Sequence, residues 1–522
     1  MKKIITAVLA LVMVLGLMLS SASACTSIYV GSALTDDGSA IFGRSEDMSN
    51  SMNKLFFSIP AGVHKAGDDY AGCYGFTWKF THDSYAYTAF SDDNLEGVDY
   101  VCRDCGETHV HTPYQAAGTN EKGLTVTATE SLGASAAIKA IDPSTDEGIE
   151  EAELTTILLS EAGSAKEALS LFFSILDTVG SNSGSGIFIA DAYETWYVEN
   201  LSGHQYIAVK LTDDLVMAQP NMSIIGLIDL DDTENVIASE GIFDIAKQAG
   251  TFVGDEEANV INFVMSYVGS SSANPRMVNA LNYLDPAYAG ATAETIDPAA
   301  SYLISNLDAE GNIVPMYTGI SLGKVFTIDD VQNFYHVDQI GKAGNLETHL
   351  FQTYKQDGVT NTVEWVAMND TQLSVFVPYY PMLTTAVAPS YGVSTVEAEF
   401  SLEAPESGVY YATSKRMRVD GEVKMVDGFV KIPDNWAESF YWAVDALSNS
   451  VLAGGLAEDK LEDAKTALYA KQAEVNAAFV DMKAAVAADP DNAAKIATDW
   501  SMDVANDVQQ FIVGQTNQYL AK

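Results

Sequence analysis

Short apolar runs dominate the chain up to about residue 390, and a different pattern takes over near its end. "CTSIYVGSA" and "GSAIFGR" are strand-like runs joined by Thr35-Asp36-Asp37-Gly38. Asp-Gly between apolar stretches signals a hairpin. "GLTVTATE" (123–130) alternates apolar and polar positions like a strand. Four more strand candidates crowd together in "GIFIAD", "ETWYVEN", "QYIAVKL" and "LVMAQPN". Helices are predicted over 151–179, where Ser164-Ala165-Lys166-Glu167 makes a capping-box pattern before "ALSLFFSIL". Further helices are expected near 240–249 and 256–268, and further strands at 362–368 and 373–377. Residues 64–115, rich in Asp, Gly, Tyr and His, read as an irregular insertion over a core. From about 456 the chain becomes rich in Ala, Lys, Asp and Glu, and Pro490 divides this stretch into two long helices. Strand runs interspersed with helical runs predict an α+β fold with helices covering sheet faces.

The first 24 residues are a separate unit. Lys2 and Lys3 precede an apolar run from Ile4 to Leu19, and Ala22-Ser23-Ala24 is a small-residue cleavage site. This is the pattern of a secretory signal peptide. Its apolar run falls short of the roughly 20 residues a membrane span needs. The expectation is an exported protein, secreted or at the cell surface, that starts at Cys25 and has no membrane partner after processing. The formal charge of the 522-residue chain is −44, and the leader removes only positive charge from it. Phosphates would be repelled, which excludes nucleic acid as a partner.

Cleavage after Ala24 puts a thiol and a free α-amine on one residue. Their reference pKa values are about 8.5 and roughly 7.7–8.0. The amine is therefore a general base for the thiol, with no histidine required. Such a nucleophile needs an acceptor to hold the amine, a cation near the sulfur and donors for the oxyanion. Arg44 and Asp47, in "GRSEDMS", lie at the end of the second strand of the predicted hairpin, beside Cys25. Asn221 ends the fourth strand candidate. The plainer alternatives are a cysteine placed there by chance, a lipid-modified cysteine (against which Ala22 stands where a lipobox has Leu), and a surface ion pair for Arg44 and Asp47.

"CTSIYVGSALTDDGSAIFGRSED" resembles the start of the bacterial cysteine dipeptidases, N-terminal-nucleophile hydrolases related to penicillin V acylase and bile salt hydrolase. Later stretches resemble the same family: "NEKGLTVTATES", "ETWYVENLSGHQYIAVKL", "QPNMSI", "NPRMVNALNYLDP", "ETHLFQ" and "VFVPYYP". The likeness covers roughly 25–390. It implies a four-layer αββα fold and hydrolysis of dipeptides without a catalytic cofactor. The hydrolase domain would span 25–455, after the 1–24 leader, with an added helical C-terminal region over 456–522. Carried over residue by residue, Cys25 is the nucleophile, Asp47 holds its amine, Arg44 stabilises the thiolate and Asn221 donates to the oxyanion. Arg276 would buttress the site or be a plain surface cation. Glu130 falls where relatives place a second oxyanion donor, a backbone N–H. Its carboxylate could also bind a dipeptide's α-ammonium, or it could be a buried structural residue. "AQPNMS" departs from the family's Ala-Asn-Gln segment.

Outside these motifs, "VCRDCGETHVHT" sets Cys102 and Cys105 at CxxC spacing, with His109 after them and Cys73 upstream. A structural zinc on Cys73, Cys102, Cys105 and His109, a disulfide and free thiols are all open readings. His204, His336 and His349 read as core or surface histidines. The C-terminal helices could pair chains into a homo-oligomer or pack as a satellite lobe. The reading is a secreted dipeptidase. An acyl-amide hydrolase of the bile salt hydrolase or penicillin acylase type is the first alternative, and a non-enzymatic surface lipoprotein the second.

Overall fold

A computed structural model describes residues 25–47, 53–72, 75–92, 100–101, 108–109, 114–269, 273–307, 313–318, 324–393, 399–419, 422–452 and 458–520. The leader, Cys73, Cys102 and Cys105 lie outside these residues, as does the side chain of His109, so the metal, disulfide and free-thiol readings fall there too.

Two antiparallel sheets organise the chain. Their strands are β1 (Thr26–Val30), β2 (Ala40–Asp47), β3 (Lys54–Ile59), β4 (Tyr87–Asp92), β5 (Gln115–Thr119), β6 (Thr125–Leu132), β7 (Gly184–Ala190), β8 (Thr195–Asn200), β9 (Tyr206–Lys210), β10 (Val216–Gln219), β11 (Val236–Ala238), β12 (Asn345–Thr353), β13 (Thr362–Met368) and β14 (Val377–Tyr379). The six-stranded sheet runs β10-β1-β2-β12-β13-β14. The eight-stranded sheet runs β11-β9-β8-β7-β6-β5-β4-β3.

The sheets face each other. Phe42 of β2 stacks on Phe188 of β7 at 5.7 Å between ring centroids, and Phe56 of β3 meets Tyr379 of β14 at 5.3 Å. Thr88 of β4 donates to Glu364 of β13 at 2.6 Å across the same interface. Trp365, the next residue, points the opposite way, as the two-residue period of a strand requires. Both faces of each sheet are covered, so β1, β2, β12 and β13 are buried along their whole length.

Helices α1 (Glu151–Glu161) and α2 (Ala165–Thr178) cover the outer face of the eight-stranded sheet. Their Ile157, Leu158, Leu169 and Phe172 share one apolar cluster with Val126, Ile187, Ile189 and Val198. The Ser164 hydroxyl caps α2 by accepting the Glu167 N–H. Helix α3 (Pro275–Leu284) begins at Asn274, whose side chain caps it and also donates to the Pro220 carbonyl at the end of β10. The other outer face belongs to the C-terminal helices α4 (Phe440–Leu452), α5 (Glu458–Ala488) and α6 (Ala493–Leu520). Phe479 of α5 packs on Trp365 at 5.2 Å and on Tyr380 at 5.7 Å, and Ser501 of α6 donates to the Pro378 carbonyl. Gln472 accepts the Phe376 N–H and donates to its carbonyl, so α5 completes the backbone bonding beside the edge strand. The layer order is αββα, and the helical C-terminal region supplies its last layer.

Three sequence expectations need correction. The strand expected over 373–377 begins only at Val377 and runs to Tyr379, because Thr371–Leu373 forms a 3-10 turn ahead of it. Residues 64–115 are not an irregular insertion throughout: Tyr87–Asp92 is a buried strand inserted between β3 and β5. Its six residues are flanked by turn-rich sequence that masks them. The helix expected over 256–268 is shorter, because Val260–Asn262 pairs as a strand with Leu227–Asp229 and only Phe263–Tyr267 is helical.

The last layer can be tested directly. A chain ended at residue 455 leaves Trp365 and Tyr380 without their cover, and losing one buried aromatic such as Phe479 already costs about 3–5 kcal/mol. The expected outcome is aggregation or loss of the cooperative thermal transition, followed by circular dichroism and size-exclusion chromatography. A monomeric truncation that melts like the parent would show that the layer is dispensable.

Candidate active site

The site is built where β1 and β2 begin and end. Cys25 directly precedes β1. The hairpin register pairs Ser27 with Arg44, so Cys25 and Arg44 share a face, the one turned toward the other sheet. On its other side β1 pairs with β10, Ser27 opposite Gln219. Continuing that register by two residues sets Asn221 level with Cys25. Asn221 adopts a left-handed backbone, φ 59°, a conformation Asn tolerates better than most residues. Its Oδ1 is buried with no hydrogen-bond donor to it among the described residues. Tyr335 fastens the hairpin by donating to both the Thr26 and Gly43 carbonyls.

Cys25 is 5% exposed and Arg44 1%. One guanidinium nitrogen, Nη1, donates to Cys25 Sγ at 3.2 Å. Nε donates to Thr127 Oγ1 of β6 at 3.1 Å, and Nη2 to Glu151 Oε1 at 3.0 Å, with the Ala116 carbonyl at 3.5 Å. Glu46 lies 3.6 Å away and also bonds Lys54, which reaches on to Asp92. Burial opposes the charge on Arg44, but Cys25, Glu151, Glu46 and Glu347 outweigh it, and the guanidinium stays protonated. The Cys25 thiol is pushed up to about 12 by burial. Arg44 pulls it down, and Glu151, Asp47 and Glu46 push it further up. Glu151 is raised to about 7, again chiefly by burial, with Arg44 acting the other way.

Asp47, beyond a bulge at the end of β2, is held by three groups among the described residues. Arg276 of α3 reaches it at 3.2 Å, Lys342 at 3.0 Å and the Asn345 amide at 2.6 Å. Burial moves its carboxyl upward against both cations. Glu130 lies at the exposed end of β6, and its backbone N–H donates to the second oxygen of Glu151. The structure thus gathers Cys25, Arg44, Asp47 and Arg276, with Asn221 set level by register. It places Glu130 one carboxylate away, its N–H engaged by Glu151. Sequence reasoning missed Glu151, Thr127, Lys342 and Asn345. Glu151 had a signal of a kind, since three acidic residues at 150, 151 and 153 open α1. The others carried none.

The chain matches Peptidase family C69 over residues 24–404. It is 29% identical over 397 residues to Probable dipeptidase B of Streptococcus pyogenes serotype M1, covering 72% of this chain and 76% of that one. It is 35% identical over 254 residues to Probable dipeptidase B of serotype M18, where the match spans 48% of each chain. Among solved structures, penicillin V acylase from Agrobacterium tumefaciens superposes with a TM-score of 0.30 at 12% identity, over 68% of this chain and 85% of that one.

The charge balance around Arg44 gives a stability prediction. Arg44→Met leaves Glu151 and Glu46 facing each other without their shared cation, a loss of about 3–5 kcal/mol. Adding Glu151→Gln removes one of the two stranded carboxylates and is expected to recover part of that loss. Urea denaturation of the four members of the cycle measures it. Additive losses would mean that the pair is not coupled.

Proposed function

The chain belongs to peptidase family C69, and we propose that it is an exported dipeptidase whose nucleophile is Cys25, freed as an amino-terminal residue when the leader is cut. Family membership makes it a cysteine peptidase. The substrate class follows the relatives named as dipeptidases. The observation that carries the assignment of the nucleophile is the contact between the Arg44 guanidinium and Cys25 Sγ, buried at the interface of the two sheets.

The steps follow from the groups present. The free α-amine of Cys25 takes the thiol proton. The thiolate attacks the scissile carbonyl, and Arg44 holds the sulfur's negative charge until attack moves it to the carbonyl oxygen. The tetrahedral oxyanion takes a donor from the Asn221 side chain. The protonated amine then gives its proton to the departing amino acid, and a thioester remains. Water, deprotonated by the same amine, attacks the thioester and releases the first amino acid, and the thiol regains its proton. Asp47 orients the amine, and Arg276, Lys342 and Asn345 hold Asp47 in place. No step needs a cofactor. Glu130, exposed at the end of β6, is the carboxylate offered to the substrate's α-ammonium.

Intact mass and amino-terminal sequencing of the exported protein test the first premise, with a start at Cys25 and an unmodified amine expected. Cys25→Ala should then lower dipeptide hydrolysis to background. A lipid-sized mass excess, or a start elsewhere, removes the nucleophile. A panel of dipeptides and N-acyl amino acids tests the substrate class, and preference for the acylated compounds would reassign it. Glu130→Gln is expected to raise KM for dipeptides several-fold more than it lowers kcat, and an unchanged KM would detach Glu130 from substrate binding.

A further inference from the structure

The Arg44 guanidinium is tied to a second group of buried residues that takes no part in the steps above. Its Nε donates to Thr127 Oγ1 at 3.1 Å. That oxygen lies 2.7 Å from His349 Nε2. His349 Nδ1 lies 2.8 Å from one oxygen of Glu347 and 3.1 Å from the other. Thr127 comes from the eight-stranded sheet, whereas His349 and Glu347 lie on β12 of the other, His349 directly opposite Arg44 in the strand register. His349, Glu347 and Thr127 are at most 1% exposed. Phe90 and Phe351 flank the imidazole at 5.1 and 5.2 Å between ring centroids.

The protons in this chain have one consistent order. Burial holds His349 below its usual pKa against the opposing pull of Glu347 and Glu46, and Arg44 nearby works in the same direction as burial, so the imidazole is neutral and carries one proton. A carboxylate accepts, which puts that proton on Nδ1. Nε2 is then an acceptor, and the Thr127 hydroxyl donates to it. With its own proton committed to His349, the hydroxyl turns a lone pair toward Arg44 Nε. Every link is donor to acceptor: Arg44 to Thr127, Thr127 to His349, His349 to Glu347.

We infer that Thr127, His349 and Glu347 are positioning residues that fix the plane of the Arg44 guanidinium so that one nitrogen stays on Cys25 Sγ. Without the bond at Nε, the guanidinium is free to turn toward the carboxylates competing for it, Glu151 from α1 and Glu46 from β2. Among the described residues, the charged and titratable groups facing the pair are Glu46 and Asp47 on β2, Glu151 on α1, Glu347 and His349 on β12, Tyr335, and Tyr114, which bonds Glu151. Most are acidic. Turning the cation away therefore leaves the thiolate among like charges.

This inference rests on Cys25 as the nucleophile, but its first readout does not require dipeptide hydrolysis. The rate of Cys25 alkylation by iodoacetamide is measured against pH in the exported protein. Thr127→Val keeps the shape and removes the hydroxyl, and Thr127→Ser keeps the hydroxyl. The expected result for Thr127→Val is a profile displaced to higher pH by about one unit, a roughly tenfold slower reaction at neutral pH. A matching fall in kcat with little change in KM should accompany it, while Thr127→Ser should follow the parent. His349→Phe, which suits its aromatic surroundings, should show a smaller displacement in the same direction. It decides the question if Thr127→Val does not fold. A folded Thr127→Val, or in its place a folded His349→Phe, whose alkylation profile superposes on the parent's overturns the inference. Absence of dipeptide hydrolysis in the parent itself would instead strike the functional proposal and leave the alkylation test standing.

Discussion

The guanidinium of Arg44 is buried between two sheets with 1% of its surface exposed, and a charge in that position constrains everything around it. Moving such a group out of water costs several kcal/mol unless its donors are met. Here they are met from four directions: Cys25 before β1, Thr127 on β6, the Ala116 carbonyl on β5 and Glu151 at the start of α1. Each partner belongs to a different element, and two of the elements lie in the opposite sheet. The cation can be satisfied only if the sheets are stacked in one register, so placing the arginine and placing the sheets are the same problem. Lys54 repeats the arrangement one position along, between Glu46 and Asp92. A buried layer of alternating charge is a poor way to gain stability, because well-packed apolar residues would do as well or better. Its presence at Cys25 is easier to understand as a means of holding a cation against a sulfur.

The same burial sets the chemistry of that sulfur. Desolvation favours the thiol and Arg44 favours the thiolate, and the carboxylates Glu151, Asp47 and Glu46 side with desolvation. The balance lies on the thiol side until a base removes the proton. Glu151 has a double position: one oxygen draws on Arg44 and the other holds the Glu130 N–H. A substrate that brings its own carbonyl oxygen or ammonium to this point must share those contacts with it.

Much of this was legible in the chain. The hairpin of β1 and β2 and the four strands between 184 and 219 follow from runs of apolar residues and the turns between them, since both signals are local. Cys25, Arg44 and Asp47 could be joined from sequence because a hairpin relates them by its own register. Asn221 could be placed only as the end of a strand, and pairing with β1 is what sets it level with Cys25. The strand at 87–92 was hidden because its neighbours carry the composition of a loop. Glu151, Thr127, Lys342 and Asn345 were beyond reach for another reason. Each lies about 80 to 300 residues from the partner it serves, and no local pattern marks a polar residue whose role comes from sheet stacking. The role of the C-terminal helices was open for the same reason, since their apolar faces do not show which surface they cover.

His349 is the imidazole joined to Cys25 Sγ through Thr127 and Arg44, and its place decides what kind of base the proposed chemistry can use. A general base must lie within hydrogen-bond reach of the proton it takes, directly or through one water. His349 is separated from Sγ by Thr127 and Arg44. Its Nδ1 is committed to Glu347 and its Nε2 to the Thr127 hydroxyl, so neither nitrogen has a lone pair to spare for the thiol. Arg44, which does touch the sulfur, carries only donors and does not give up its charge. Among the described residues, then, the cation at the sulfur cannot act as a base, and the connected imidazole is spent on holding that cation. In the mechanism proposed here the proton goes to the α-amine on Cys25 itself. That division of labour leaves the histidine, despite its usual reputation beside a cysteine, as a structural acceptor two hydrogen bonds behind the arginine.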